Sequence, residues 1–127
     1  MENLRMNRLD QILAEAKPRI AQHWSFFMGA GLSGFTPTTV ARVDKLIDTY
    51  FERLKALPDG ASRTAILREI ETLFRRLDEV NASCDGALLE TDERELLVPI
   101  IIEAASAAGL SVGEFEHNDP TLEFRNF

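Results

Sequence analysis

The 127-residue sequence predicts an all-α fold, a single-domain bundle of four to five helices with an acidic, aromatic C-terminal tail. Apolar residues recur at helical spacing in four stretches, and segments rich in glycine or proline separate those stretches. No internal repeat is visible, and no part of the pattern requires paired strands. A chain of this length is typical of one domain, here residues 1–127, in which the tail 110–127 either docks on the core or stays free.

The first predicted helix covers about residues 3–27 and contains a proline. Its apolar residues keep one phase on both sides of Pro18. Proline removes a backbone hydrogen bond and crowds the preceding helical turn. We therefore expect a kinked helix, or two helices nearly in line.

The second and third helices are predicted from their starts and from their apolar faces. Thr36 before Pro37 marks the start of the second helix. The third helix covers about Ser62 to Val80, and we expect Glu69 on its solvent-facing side. Its apolar stripe should pack against the second and fourth helices, which pairs Ile66, Ile70, Leu73, Phe74 and Leu77 with Ile47, Phe51, Leu54, Ile100 and Ile101.

The fourth helix is predicted to start near Thr91 and to end at Gly109, a residue suited to a C-terminal cap. It is apolar nearly all round, which predicts a central, buried helix. The β-branched run at 98–102 leaves a buried strand as the alternative. We favour the helix because the apolar pattern continues through Ala107. Because a helix this apolar can exceed what one small core buries, homo-oligomerisation is a further possibility.

Acidic charge is concentrated in the last third of the chain. Residues 1–80 carry 12 Lys/Arg against 11 Asp/Glu, whereas residues 81–127 carry two arginines against ten acids, a net charge of −8. Such a segregated field favours a basic protein as partner. The basic residues are interleaved with acids and form no stripe with aromatic residues, so we expect no nucleic-acid partner.

The leading functional hypothesis is therefore a non-catalytic domain that presents an acidic surface, residues 85–123, to a basic protein. Small acidic immunity or inhibitor proteins that block basic nucleases have this size and charge, and the analogy rests on nothing more. Aromatic residues beside acids are typical interface anchors. The alternative is that these rings dock on the protein's own core. The predicted partner-binding residues are Glu114, Phe115, Glu116, Asp119, Glu123, Phe124 and Phe127.

A second hypothesis is a module that responds to a divalent cation. The segment 81–92, NASCDGALLETD, resembles the twelve-residue calcium loop of an EF-hand and lies between two predicted helices. The resemblance implies Ca²⁺ as a ligand. The segment departs from the usual pattern in three ways. Its first ligand is Asn81 where Asp is usual, its last is Asp92 where Glu is usual, and the loop occurs once although EF-hands usually come in pairs. Without calcium, the segment is a turn held by its own backbone geometry. The ligands that the resemblance implies are Asn81, Ser83, Asp85 and Asp92.

A third hypothesis, an enzyme with a small-molecule site between helices, has the least support, and we expect no catalytic residues and no cofactor. Residues 29–34 match G-x-G-x-x-G but follow no strand, which indicates a flexible loop. His23, His117 and Cys84 have no partners in sequence that would suggest a metal site or a nucleophile. The N-terminus lacks an apolar run and no segment could span a membrane, so we expect a cytoplasmic protein without a membrane partner.

Overall fold

The structure, a computed structural model, describes residues 3–127, and Met1 and Glu2 of the predicted domain lie outside the described residues. This range contains helices and turns but no strand. The prediction of an all-α bundle is confirmed, with four helices. They are α1 (Leu4–Gly29), α2 (Pro37–Ala56), α3 (Arg63–Ala82) and α4 (Thr91–Ala107), followed by the short 3₁₀ helices Val112–Glu114 and Glu116–Asn118.

Polar side chains cap the first three helices at their N-termini. Asn3, Thr36 and Ser62 each accept a hydrogen bond from the backbone N–H three residues later. Such a cap satisfies one of the four amides that a helix start leaves unpaired. The predicted Thr36–Pro37 start is confirmed, and Thr39 returns a hydrogen bond from its hydroxyl to the Thr36 N–H.

Helices α1 and α4 continue through their internal prolines. Pro18 and Pro99 both lie on exposed positions, and neither interrupts its helix. The alternative of a strand at 98–102 is wrong, because this run is helical and Gly109, with φ +117°, follows the helix end. A left-handed residue at this point favours glycine, as the sequence predicted.

One apolar cluster joins all four helices. Helix α4 contacts α1, α2 and α3, and α2 packs on α3. The predicted stripe on α3 and its predicted partners on α2 and α4 are all buried in this cluster. Phe74 and Phe51 are among the largest side chains that solvent does not reach. The central position of α4 follows from its lack of a polar face.

The expectation for Glu69 is wrong. Its side chain is 8 % exposed, and Arg53 of α2 donates a hydrogen bond from Nε to Glu69 Oε1 at 2.6 Å. A buried carboxylate needs such a partner, because burial without one is costly. Arg53 lies 16 residues away, so the spacing within α3 could not reveal it.

The glycine-rich connection between α1 and α2 is explained by packing. A Cβ on Gly34 would overlap the backbone carbonyl of Ala87, so the two inter-helix loops touch at a point that only glycine allows. Gly31 has φ +74°, another conformation that favours glycine. The match to G-x-G-x-x-G therefore coincides with a loop contact and a turn.

Candidate functional site

Of the four predicted acids in the tail, two pair with arginines and one lies near a histidine of the same chain. Arg63 lies 3.2 Å from Glu114, and His117 lies 3.6 Å from Glu116. Glu123 is exposed and forms no ion pair with any residue in the range 3–127. Glu114 and Glu116 also stay largely exposed, so these two pairs are screened by solvent and hold the tail only weakly.

Asp119 is the most enclosed of the tail acids. Its carboxylate accepts hydrogen bonds from the Thr121 N–H and hydroxyl, and it pairs with Arg125 at 2.9 Å. Arg125 also donates to the hydroxyl oxygen of Thr121 and to the backbone carbonyl of Phe127. Burial of Asp119 opposes its ionisation, but the hydrogen bonds from Thr121 and Arg125 outweigh burial and lower its pKa. Asp119 therefore organises the end of the chain.

The predicted aromatic residues of the tail lie against the protein's own core. Phe115, Phe124 and Phe127 are each half-buried on it, and the ring centroids of Phe127 and Phe74 are 5.7 Å apart. The guanidinium of Arg63 lies 4.5 Å from the Phe115 ring centroid. Much of the area that these rings could offer to a partner is thus engaged within the chain.

The loop that resembles an EF-hand is held by its own hydrogen bonds. Asn81 Oδ1 accepts from the backbone N–H groups of Leu88 and Leu89 at 3.2 and 2.8 Å. The Ser83 hydroxyl donates to the Val80 carbonyl. Asp85 and Gly86 have φ of +56° and +76°, which makes the sharp turn. Asn81 therefore acts as a cap for the backbone of the following loop.

The other candidate ligands are spread along the chain. Asp85 is exposed at the turn, and Asp92 is exposed in the first turn of α4. Within residues 3–127, no group of three or more His, Cys, Asp or Glu residues is arranged to hold a metal ion. Cys84 is a free thiol that donates to the backbone carbonyls of Val80 and Asn81.

Aromatic and acidic side chains meet at the start of α4. A cleft of about 350 Å³ is lined by Phe27, Leu32 and Phe35 on one side and by residues 90–93 on the other. The Phe27 and Phe35 rings are stacked with centroids 5.1 Å apart, and Phe26 packs edge-on against Phe27. We call this surface the aromatic–acidic patch; its members are Phe26, Phe27, Leu32, Phe35, Glu90 and Asp92.

Two apolar side chains of the patch are exposed to solvent. Phe26 is 69 % exposed and Leu32 is 47 % exposed. Glu90, Asp92 and Glu95, one turn further along α4, are exposed and pair with no cation among the described residues. The acids that remain free of internal ion pairs are therefore concentrated at the start of α4 more than in the tail.

A buried carboxylate fixes the floor of the patch. His23 Nε2 of α1 lies 2.6 Å from Glu93 Oε2 of α4, and Glu93 is 3 % exposed. Glu93 Oε1 also accepts from the Glu90 N–H, so one carboxylate caps α4 and joins it to α1. The Trp24 indole, next in sequence to His23, donates to Asp44 of α2 at 2.8 Å.

The chain was compared with models of protein families, with curated proteins and with solved structures. None of the three comparisons finds a match.

The patch could not be predicted from the sequence. Its members lie in two segments about 60 residues apart, 26–35 and 90–92, and the helical pattern does not show that α4 begins beside the first loop. A partial signal was present: three phenylalanines flank the glycine-rich connection, which needs only small residues for its turns. Within residues 3–127, no helix is long and apolar enough to cross a bilayer.

Proposed function

We propose that this chain is a non-catalytic, single-domain protein that binds a basic protein through its aromatic–acidic patch. The observation that carries the proposal is the exposed Leu32 in one cleft with the acids Glu90 and Asp92, which form no ion pair among residues 3–127. The exposed Phe26 ring extends this surface through its contact with Phe27. Aromatic anchors surrounded by charge are typical of protein interfaces. Exposed apolar residues that adjoin one another and are rimmed by polar groups mark interaction sites, whereas single exposed ones do not.

The charge of the chain supports a basic partner. The formal net charge is −7, to which residues 81–127 contribute −8 and residues 1–80 contribute +1. Glu114, Glu116 and Glu123 in the acidic, aromatic tail are exposed and add to this field, although their local contacts are mostly internal. Long-range attraction of this kind speeds encounter, while the apolar centre of an interface slows dissociation. The partner class that fits best is a basic enzyme inhibited by a small acidic protein.

Site-specific crosslinking tests the location of the interface. A photo-crosslinking residue at Leu32 reports on the patch, and the same residue at Leu122, 41 % exposed in the tail, is the matched control. In lysate of the source cells, we expect the Leu32 probe to capture one protein of high isoelectric point, and the Leu122 probe to capture far less of it. Equal capture at both positions, or capture of an acidic protein, would contradict the proposal.

Two aromatic variants distinguish the patch from the tail as the contact surface. Phe26→Ala should speed dissociation of the captured partner at least tenfold without destabilising the fold, because Phe26 is largely exposed. Phe124→Ala is the comparison, since this ring is half-buried on the core. It should lower the free energy of unfolding and leave dissociation nearly unchanged. If Phe124→Ala alone speeds dissociation, the tail is the interface and the patch is not.

A further inference from the structure

A second concave surface lies between α2 and α3. This groove encloses about 540 Å³, within the range of roughly 300–1,000 Å³ that is usual for small-molecule sites. Its floor is apolar and is made by Leu46, Tyr50, Leu73 and Val80. The last three of these are buried, and Leu46 is half-buried. Tyr50, Leu73 and Val80 are at most 4 % exposed, so the apolar surface that is open to a ligand comes mainly from Leu46 and from the aliphatic stems of the lysine and arginines that line the groove.

The Tyr50 hydroxyl is not available to a ligand. The hydroxyl donates to the Ile101 carbonyl of α4 at 2.9 Å and is therefore already paired. Complete burial raises the pKa of Tyr50 well above its ordinary value, and the nearby charge of Glu69 raises it further. The phenol stays neutral, so it neither repels an anion nor acts as a base.

The rim of the groove is positive in a protein that is strongly negative. Four cationic and two anionic side chains line it. Arg53 and Glu69 neutralise each other through their 2.6 Å contact. Within residues 3–127, the remaining cations form no ion pair, and Arg42 contacts only the Ser83 hydroxyl, at 3.4 Å. These cations are Arg42, Lys45 and Arg76, against the single acid Glu79.

We propose that the groove binds a small organic anion with an apolar body, in which Arg42, Lys45 and Arg76 hold the anionic group and the floor covers the apolar part. Guanidinium groups bind carboxylate and phosphate oxygens through strong, charge-assisted hydrogen bonds. The hydroxyls of Thr49 and Thr72 also line the groove and offer further donors. A groove of this volume with an apolar floor fits a chain-bearing acid better than a bare inorganic ion.

The site differs from the aromatic–acidic patch in the sign of its charge. The patch carries Glu90 and Asp92 and therefore repels the anion that the groove attracts. An apolar cation of the same chain length should show the reverse preference. The proposal does not depend on the protein partner, and each site is tested with its own probe.

Titration of the ¹⁵N-labelled full chain with decanoate, below its micelle concentration, tests the proposal. We expect saturable shifts of amide signals in segments 42–53 and 69–80, and little change in segment 26–35. Decyltrimethylammonium matches the apolar chain with the opposite charge, and it should not shift the groove signals. Inorganic phosphate supplies charge alone and should bind much more weakly. Absence of saturable shifts, or equal groove shifts with the cation, would overturn the proposal.

A pair of double variants tests the residues. Arg42→Gln with Arg76→Gln should weaken decanoate binding at least about tenfold, because charge-assisted hydrogen bonds are lost. Arg68→Gln with Arg75→Gln removes the same charge from α3 outside the groove and should change the affinity by less than about twofold. These side chains are exposed, so thermal melting should confirm that both variants fold. Equal loss in both double variants would show that decanoate senses net charge and not this groove.

Discussion

His23 on α1 and Glu93 on α4 are joined by a 2.6 Å contact between Nε2 and Oε2, although 70 residues separate them in sequence. The Glu93 carboxylate is almost completely buried and also receives the Glu90 N–H. This one carboxylate therefore fixes both the start of α4 and its position against α1. The aromatic–acidic patch is built directly over that junction.

Removal of Glu93 should destabilise the bundle measurably. Glu93→Ala leaves the part-buried His23 ring and Glu90 N–H without their partner, which should cost about 1 kcal/mol, the lower end of the range for buried polar groups. Chemical denaturation gives the change in the free energy of unfolding. In a double-mutant cycle with His23→Ala, the coupling should be at least 0.5 kcal/mol, as is typical of residues in contact. Strictly additive effects would show that the contact contributes nothing.

Truncation of Phe74 and Phe127 should have graded effects on stability. Phe74 is fully buried, so Phe74→Ala should cost about 3–5 kcal/mol. Phe127 is half-buried against it, and Phe127→Ala should cost less, about 1 kcal/mol. Urea denaturation of both variants measures the difference. A Phe127→Ala variant as stable as the wild type would show that the end of the tail does not contribute to the core.

The Asn81 side chain should matter for stability through its hydrogen bonds to the loop. Asn81→Ala removes the acceptor for the amides of Leu88 and Leu89 and should cost about 1–3 kcal/mol. Asn81→Asp keeps an acceptor oxygen and should retain most of the stability. If the loop instead binds calcium, millimolar Ca²⁺ would raise the melting temperature of the wild type. We expect no rise, and a rise that Asp85→Ala abolishes would restore the cation hypothesis.

Asp119 should make the free energy of unfolding depend on pH in the acid range. Its folded-state pKa is lowered by hydrogen bonds from Thr121 and Arg125, against the effect of burial. A lowered pKa contributes stability that is present above the unfolded value, about 3.9, and is lost as pH falls through the folded value. Wild type should therefore lose more stability than Asp119→Asn between neutral pH and pH 3. Glu123→Gln, at an exposed acid, should follow the wild type.

The helices could be predicted from sequence because their signals are local. Thr36 and Ser62 each cap the backbone N–H three residues later in their own helix. The apolar residues of α3 recur every three or four positions, which places them on one face of a helix. The burial of Glu69 and Glu93 could not be predicted, because their partners Arg53 and His23 come from other helices. Which side chains meet between two helices depends on how the helices pack, and the periodicity of a single helix carries no information about that packing.

The candidate site shows the same division between local and long-range information. The acidic last third is evident from composition, and it predicts a partner-binding surface in the tail. Folding pairs Glu114 and Asp119 with cations of the same chain, while Glu90 and Asp92 stay free beside Phe27. A count of charges along the sequence cannot distinguish an acid with an internal partner from one without. The basic groove could not be predicted for the same reason. Basic and acidic residues alternate along α2 and α3, and the basic ones face one groove only once the two helices pack together.

The measurement that bears most directly on the aromatic–acidic patch is the association rate of the captured partner as a function of salt. Wild-type association should be fast at low salt and slow as ionic strength rises, because screening shortens the range of charge attraction to about 10 Å at 0.1 M. Glu90→Lys with Asp92→Lys should lower the low-salt rate at least tenfold. Glu116→Lys with Glu123→Lys makes the same change of charge in the tail and should lower it less than about threefold. Equal effects of the two pairs, or a rate that ignores salt, would contradict a protein interface at this patch.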